Sequence, residues 1–253
     1  MIRTNQSFPS ARPTVLVLNT NTTGAITDLV VRELVAHGPP GVAWRPATAA
    51  FGAAYIATEA SYAIATHAAL DAYARDGSGC DAVLLACFGD PGLFALREVA
   101  SVPVVGLAEA AMREGVAAGR YAIVTGGALW PPMLERLALA LGYADALAAI
   151  RAVAPSGAEI AADPERALGL LAAACRACAA EDGALAVILG GAGLAGLAAR
   201  VQPHVPVPVI DSVLAGGRAI AAALAAAGAP RSAAAVQAPM RGLDTALTRL
   251  LGG

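Results

Sequence analysis

The sequence predicts an α/β protein built as two pseudo-symmetric parallel-sheet lobes with the active site in the cleft between them. Three observations carry this. Short apolar runs alternate with longer helical stretches, the pattern of a parallel sheet covered by helices. Several of those runs end in polar or glycine-rich turns, and ligands of parallel sheets gather at the carboxyl ends of the strands. The pattern also repeats. Thr125 lies 106 positions after Asn19, Val187 to Leu197 overlays Val83 to Leu93 at an offset of 104, and Val207 to Asp211 overlays Val102 to Gly106 at 105. Three blocks in one order at near-constant spacing indicate an internal duplication.

The elements follow in order. Residues 1–12 are polar, with Pro9 and Pro13 near their end, and read as a flexible N-terminal arm. Thr14 to Leu18 is a buried strand ending in Asn19-Thr20-Asn21-Thr22-Thr23-Gly24. These short hydrogen-bonding side chains either cap a helix over 25–37 or bind a ligand at its N-terminus. His37-Gly38-Pro39-Pro40-Gly41 is a turn, Val42 to Pro46 a second strand, and 58–75 a long helix. Val83 to Ala86 is a strand running into Cys87-Phe88-Gly89, after which Asp90-Pro91 reads as an N-cap followed by proline at the first helical position. Val102 to Leu107 is the next strand.

Tyr121 to Gly127 then restarts the pattern, and Trp130-Pro131-Pro132 opens a helix that either walls the pocket or carries only helix-start chemistry. Val213 to Leu251 is mostly helical, has no counterpart between the halves, and is expected to pack back on the first lobe. The first lobe is therefore 13–107 plus 213–253 and the second 108–212, with crossings near 108 and 212.

Composition narrows the function. A chain of 253 residues can bury a substantial core. Mean hydropathy is +0.62, but the longest uncharged run, Gly183 to Ala199, holds five glycines and reads as strand then loop, so no membrane span is predicted. Net charge is −2 with scattered basic residues, which gives no electrostatic footprint for nucleic acid. All seventeen basic residues are arginine, and without lysine no pyridoxal phosphate Schiff base can form. No cofactor is implied. Four cysteines do not make a disulfide scaffold, and no leader pattern opens the chain, so a cytoplasmic protein is expected. The alanine-rich surface predicts a homo-oligomer.

Cys87 is the residue with the chemistry. A thiol at the carboxyl end of a parallel strand, facing the free N–H groups of a helix start, is expected to lean toward thiolate. A small buried residue is the alternative reading, because free cysteines are usually buried. Removing a proton beside a carbonyl builds negative charge on oxygen that fixed donors must meet. Gly190-Gly191-Ala192-Gly193 and Thr125-Gly126-Gly127 each offer backbone N–H groups at a strand end; ordinary tight turns are the alternative. Cys175 and Cys178 fall mid-helix without a second ligand pair, which argues against a redox or zinc motif, and Cys80 reads as packing. His37, His67 and His204 show no metal spacing, so no metal site is predicted.

These residues carry a resemblance. The chain resembles the Asp/Glu/hydantoin racemase superfamily, nearest the hydantoin and allantoin racemase branch. Asn19-Thr20-Asn21-Thr22 is similar to that branch's opening Asn-Pro-Asn-Thr/Ser, Ala86 to Gly92 to its first cysteine motif, and Leu189 to Gly193 to its Leu-Gly-Cys-Ala-Gly motif. Val209-Ile210-Asp211 resembles the strand closing the second half. The resemblance implies an Asp/Glu racemase-like fold and two cysteines flanking the substrate carbon without a cofactor. Gly191 stands where the second would be.

The expected site is then Cys87 as the catalytic residue, with Asn19, Thr20, Phe88, Gly89, Thr125, Gly126, Gly190, Gly191, Ala192 and Asp211 binding substrate. Tyr55, Glu59 and Tyr62 lie in a region that the resemblance turns toward the cleft; core packing explains the tyrosines equally well. The expected activity is a racemase or epimerase acting on a small amino acid, carboxylate or hydantoin-like ring. The alternatives are a single-cysteine lyase resembling the arylmalonate decarboxylases and a small-molecule-binding homologue without turnover. With Gly191 in place, the candidates for the second face are a bound water, Asp211, Ser212 or no group at all.

Overall fold

The computed structural model describes residues 12–154, 156–226 and 240–251; the expected arm over 1–12 lies almost wholly outside them. Its first half runs β1 (Thr14–Asn19), α1 (Gly24–His37), β2 (Ala43–Thr48), α2 (Glu59–Asp76), β3 (Ala82–Leu85), α3 (Leu93–Val99), β4 (Val104–Gly106) and α4 (Leu107–Ala118). The second half runs β5 (Tyr121–Gly126), α5 (Trp130–Leu141), β6 (Leu147–Val153), α6 (Gly157–Ala162), α7 (Pro164–Ala180), β7 (Ala186–Gly190), α8 (Leu197–Val201), β8 (Val209–Asp211) and α9 (Ser212–Ala226), followed by α10 (Thr245–Leu250). Two four-stranded sheets result, in the orders β2-β1-β3-β4 and β6-β5-β7-β8, and every pairing is parallel. The two orders are the same permutation, as the duplication requires.

The central strands β3, β5 and β7 are buried along their whole length, which is why they read as unbroken apolar runs rather than alternating ones. Pro46 is tolerated because β2 is an edge strand. The start of α2 is fixed by a capping box between Thr58 and Ser61. Pro131 opens α5, and Gly142 closes it in the left-handed region.

Two features depart from the sequence reading. Asp90 does not cap α3. It adopts φ +53, and α3 begins only at Leu93, with Gly92 at φ +91 before it. The Asp90 carboxylate instead accepts the N–H groups of Ala108 at 2.9 Å and Glu109 at 2.8 Å, capping α4. The final helical stretch also has a counterpart: α9 follows β8 as α4 follows β4. From β4, α4 passes to the second sheet and packs on β5 and β7, while α9 returns to the first and packs on β3 and α1. Gly216 and Gly217 let α9 approach Leu84, Leu107 and Leu34, since a Cβ at either would meet those side chains inside 3.0 Å. Arg218 of α9 pairs with Glu114 of α4 at 2.7 Å. One apolar cluster therefore runs through both lobes, from Val15 and Leu84 through Leu107 and Met112 to Ile123 and Ile188.

Candidate active site

Cys87 follows β3 by two residues, is 6% exposed and lines the cleft between the lobes. The turn that presents it is held from three sides. The Asp90 N–H donates to the Cys87 carbonyl at 3.0 Å, Asp90 is tied to α4, and the Tyr62 hydroxyl donates to the Gly89 carbonyl at 2.8 Å. Gly89, at φ +107, lies against the Trp130 indole where no Cβ would fit.

Burial pushes the Cys87 thiol up to about 12, and charge on Asp90 adds to the rise. The expected thiolate is thus absent in the free protein, because the start of α3 lies six residues on and desolvation dominates. The thiol is directed at the Phe88 carbonyl at 4.0 Å. Thr20 favours the anion, and its buried hydroxyl has no partner at hydrogen-bond distance among the described residues. Burial likewise lifts Asp90 to about 7, against the pull of the Ala108 and Glu109 N–H groups.

Across the cleft, Gly191 has φ +153, and a Cβ there would meet Leu194 Cδ1 at 2.6 Å. Its N–H donates to Ser212 Oγ at 3.3 Å, and that of Gly127 to the Val153 carbonyl at 3.1 Å, so neither is free for substrate. Phe88, Ala192 and Gly193 line the cleft, and their N–H groups have no acceptor among the described residues. The loop over 49–57 forms one rim through Ala54, Tyr55 and Ile56, with the Tyr55 hydroxyl donating to the Gly126 carbonyl at 2.8 Å. Beside it Glu59 pairs with Arg136 of α5.

The cleft has a cavity volume of about 50 Å³. It brings together Cys87, Phe88, Thr125, Gly126, Gly191 and Ala192 of the expected site. Asn19 is fully buried and holds the loop instead, donating to Asn21, Thr23 and Thr27. Thr20 lies behind the thiol, Gly89 against Trp130, and Gly190 against the Phe88 ring. Asp211 does not face the cleft: its carboxylate accepts from Gly196 at 3.0 Å, Val213 at 2.8 Å and Leu214 at 3.1 Å, capping α9.

Ile26, Ile56 and Leu194 join the lining unannounced. So does Asn21, whose Oδ1 accepts the Thr23 N–H at 2.9 Å and the Asn19 side-chain amide at 3.0 Å, while its NH₂ has no acceptor among the described residues. The Asn19 to Thr23 run contained that signal, hidden among residues equally suited to capping. No lining residue is Asp, Glu, His or Arg. No group of three His, Cys, Asp or Glu among the described residues could hold a metal, and no described helix is long and apolar enough to cross a membrane.

Fold and cleft define a class: duplicated α/β proteins whose site is assembled from strand ends of both halves. The chain belongs to the Asp/Glu/hydantoin racemase family, whose sequence profile matches residues 15–220. It is 38% identical to a hydantoin racemase of Rhizobium meliloti over 141 residues, 55% of this chain and 58% of that protein, so the match spans less than two thirds of that relative. A hydantoin racemase of Paenarthrobacter aurescens is 34% identical over 220 residues, 85% of this chain and 92% of that protein. The allantoin racemase of Pseudomonas fluorescens shares the fold at a TM-score of 0.84 and 29% identity, covering 91% of this chain and all of that one.

Proposed function

We propose that the protein is a cofactor-independent isomerase of the racemase type that moves a proton at the activated carbon of a hydantoin-like ring through Cys87. One observation carries this: the cleft presents a single thiol among apolar walls, amide donors and no charged side chain. A zwitterionic amino acid or a dicarboxylate would leave charge uncompensated there, whereas a neutral cyclic amide needs only hydrogen-bond donors. Asn21 and the N–H groups of Ala192 and Gly193 supply them where enolate charge develops.

In the reaction the Cys87 thiolate takes the ring C–H proton and the electron pair moves onto the carbonyl oxygen; a proton returned by the thiol restores the starting configuration, and inversion follows when solvent delivers the proton to the opposite face. Since burial holds the resting thiol at about 12, abstraction gains rate as pH rises across the neutral range. Solvent-deuterium incorporation across hydantoins, amino acids and malonates, read by mass spectrometry, tests the reading. Uptake confined to hydantoins is expected; uptake only from amino acids or malonates would overturn it. We also propose a cytoplasmic homo-oligomer, its contacts drawing on exposed residues such as Val35 and Leu139 at 70% and 71% exposure. A monomer in sedimentation would count against that.

A lyase is the second reading, favoured by the neutral thiol facing Gly191. Loss of carbon dioxide leaves the electron pair on carbon, and a protonated thiol is poised to quench it from one side. The uncharged lining weighs against a malonate.

A further inference from the structure

The geometry points to Leu194 as the residue that sets the stereochemical course of this proton transfer, an inference that rests on the Cys87 reading above. Gly191 is the internal counterpart of Cys87 at an offset of 104, and it lines the cleft from the other lobe. The side chain of Leu194, 2% exposed and itself lining the cleft, occupies the space into which any residue at 191 would project, with Cδ1 only 2.6 Å from a Cβ built there.

The first lobe shows why the room is taken. The counterpart of Leu194 is Asp90, whose carboxylate turns away to cap α4 and so leaves the thiol its place. In the second lobe Asp211 caps α9 from the strand end, position 194 needs no acid, and an apolar side chain folds over Gly191. Leu194 covers that wall with methyl groups, the Gly191 N–H is given to Ser212 Oγ, and the Ala192 and Gly193 N–H groups go to the substrate's oxygen, which leaves too few polar partners to hold an ordered water there. Of the polar side chains near that wall, Tyr55 already gives its hydroxyl proton to the Gly126 carbonyl, and Ser212, 1% exposed, lies behind Gly191, where its Oγ accepts the Gly191 N–H, and does not line the cleft. An enolate formed at Cys87 therefore regains its proton from Cys87 more often than from the Gly191 side, and Leu194 is what keeps the second side dry.

Each enantiomer of 5-benzylhydantoin, incubated with the enzyme in D₂O, tests this, with deuterium followed by mass spectrometry and configuration by chiral chromatography. One enantiomer is expected to exchange with retention at least about a hundredfold faster than it inverts, the worth of one positioned acid–base group, while its mirror image takes up deuterium only as it inverts. Leu194→Ala opens the second side and should lower the ratio of retentive exchange to inversion by about tenfold or more. Leu194→Val, which keeps the core packed, should move the ratio the same way by less.

Equal ratios for both enantiomers in the native enzyme overturn the assignment, and so does a ratio unmoved in both variants. Loss of inversion alone in Tyr55→Phe also overturns it, because the second side then belongs to Tyr55. Absence of exchange from either enantiomer instead overturns the proton-transfer reading itself, and this inference with it.

Discussion

After β3 the chain places Cys87 and Asp90, and later Gly106 at the end of β4; after β7 the corresponding positions are Gly191, Leu194 and Asp211. The changes are sterically linked. Gly106 has to lack a side chain because a Cβ would collide with the Asp90 carboxylate on its way to α4. Where the strand end supplies the acid, at Asp211, the loop position is released and becomes apolar. Each crossing helix keeps a carboxylate at its N-terminus, while only one lobe keeps a thiol. Capping is what the two halves share, and proton chemistry is what separates them.

Removing the thiol tests that division most severely. Cys87→Ala should cut deuterium exchange by about 10²- to 10⁴-fold, the usual worth of a positioned acid–base group, with an unchanged far-ultraviolet circular dichroism spectrum. Retained exchange, with the loss appearing in Cys80, Cys175 or Cys178 variants, would place the chemistry elsewhere.

The shared caps come next. Alanine at Asp211 strips an acceptor from three N–H groups and alanine at Asp90 from two, each costing about 1–3 kcal/mol where the donor stays buried. Urea unfolding should show Asp211→Ala as the less stable variant; the reverse order would mean that the caps are not equivalent.

Asp90 carries a pH signature as well. Its folded carboxyl sits at about 7, above about 3.9 for an unfolded aspartate, so the folded state holds this proton more tightly. Stability from this group is fully present below about pH 4 and is lost as pH rises through about 7. Relative to Asp90→Asn, the native protein should lose stability between pH 5 and pH 8, and a gain there would contradict the assignment.

Rebuilding the second thiol should have a smaller effect on its own. Gly191→Cys must adopt a strained φ and displace Leu194, at a cost of about 1–3 kcal/mol, and should bring little inversion until it is joined to Leu194→Ala. Equal gains from the single and the double variant would show that Leu194 moves aside freely. Smallest of all, Thr20→Val removes a dipole that favours the Cys87 anion and should move the exchange pH profile upward by a fraction of a unit, without altering KM.

The repeat was legible because buried parallel strands leave unbroken apolar runs, and the Cys87 turn because glycine and proline mark it. The direction of the Asp90 carboxylate was not, since its partners at Ala108 and Glu109 come from another turn of the chain and local spacing favours a cap on the nearer helix. The protonation of Cys87 was hidden for a related reason: desolvation depends on what the fold stacks around the sulfur. Asp211 looked like a ligand residue because a carboxylate at a strand end serves substrate or helix equally well until coordinates show three N–H groups on it. Leu194 gave no signal, since leucine in a loop after a buried strand is ordinary packing until its distance to Gly191 is known.

The crossing of α4 and α9 bears on how such a molecule could have arisen. A half-length chain ending after α4 would send its covering helix away from its own sheet and leave Leu84 and its neighbours bare. Two copies of that half would each lend the other the missing layer, α4 of one filling the seat now held by α9. An ancestor of this kind had to assemble in pairs before it could fold, and the cleft was born as its subunit interface. Fusion of two such copies would free the halves to diverge, so that one could carry the thiol and the other cover its place with leucine.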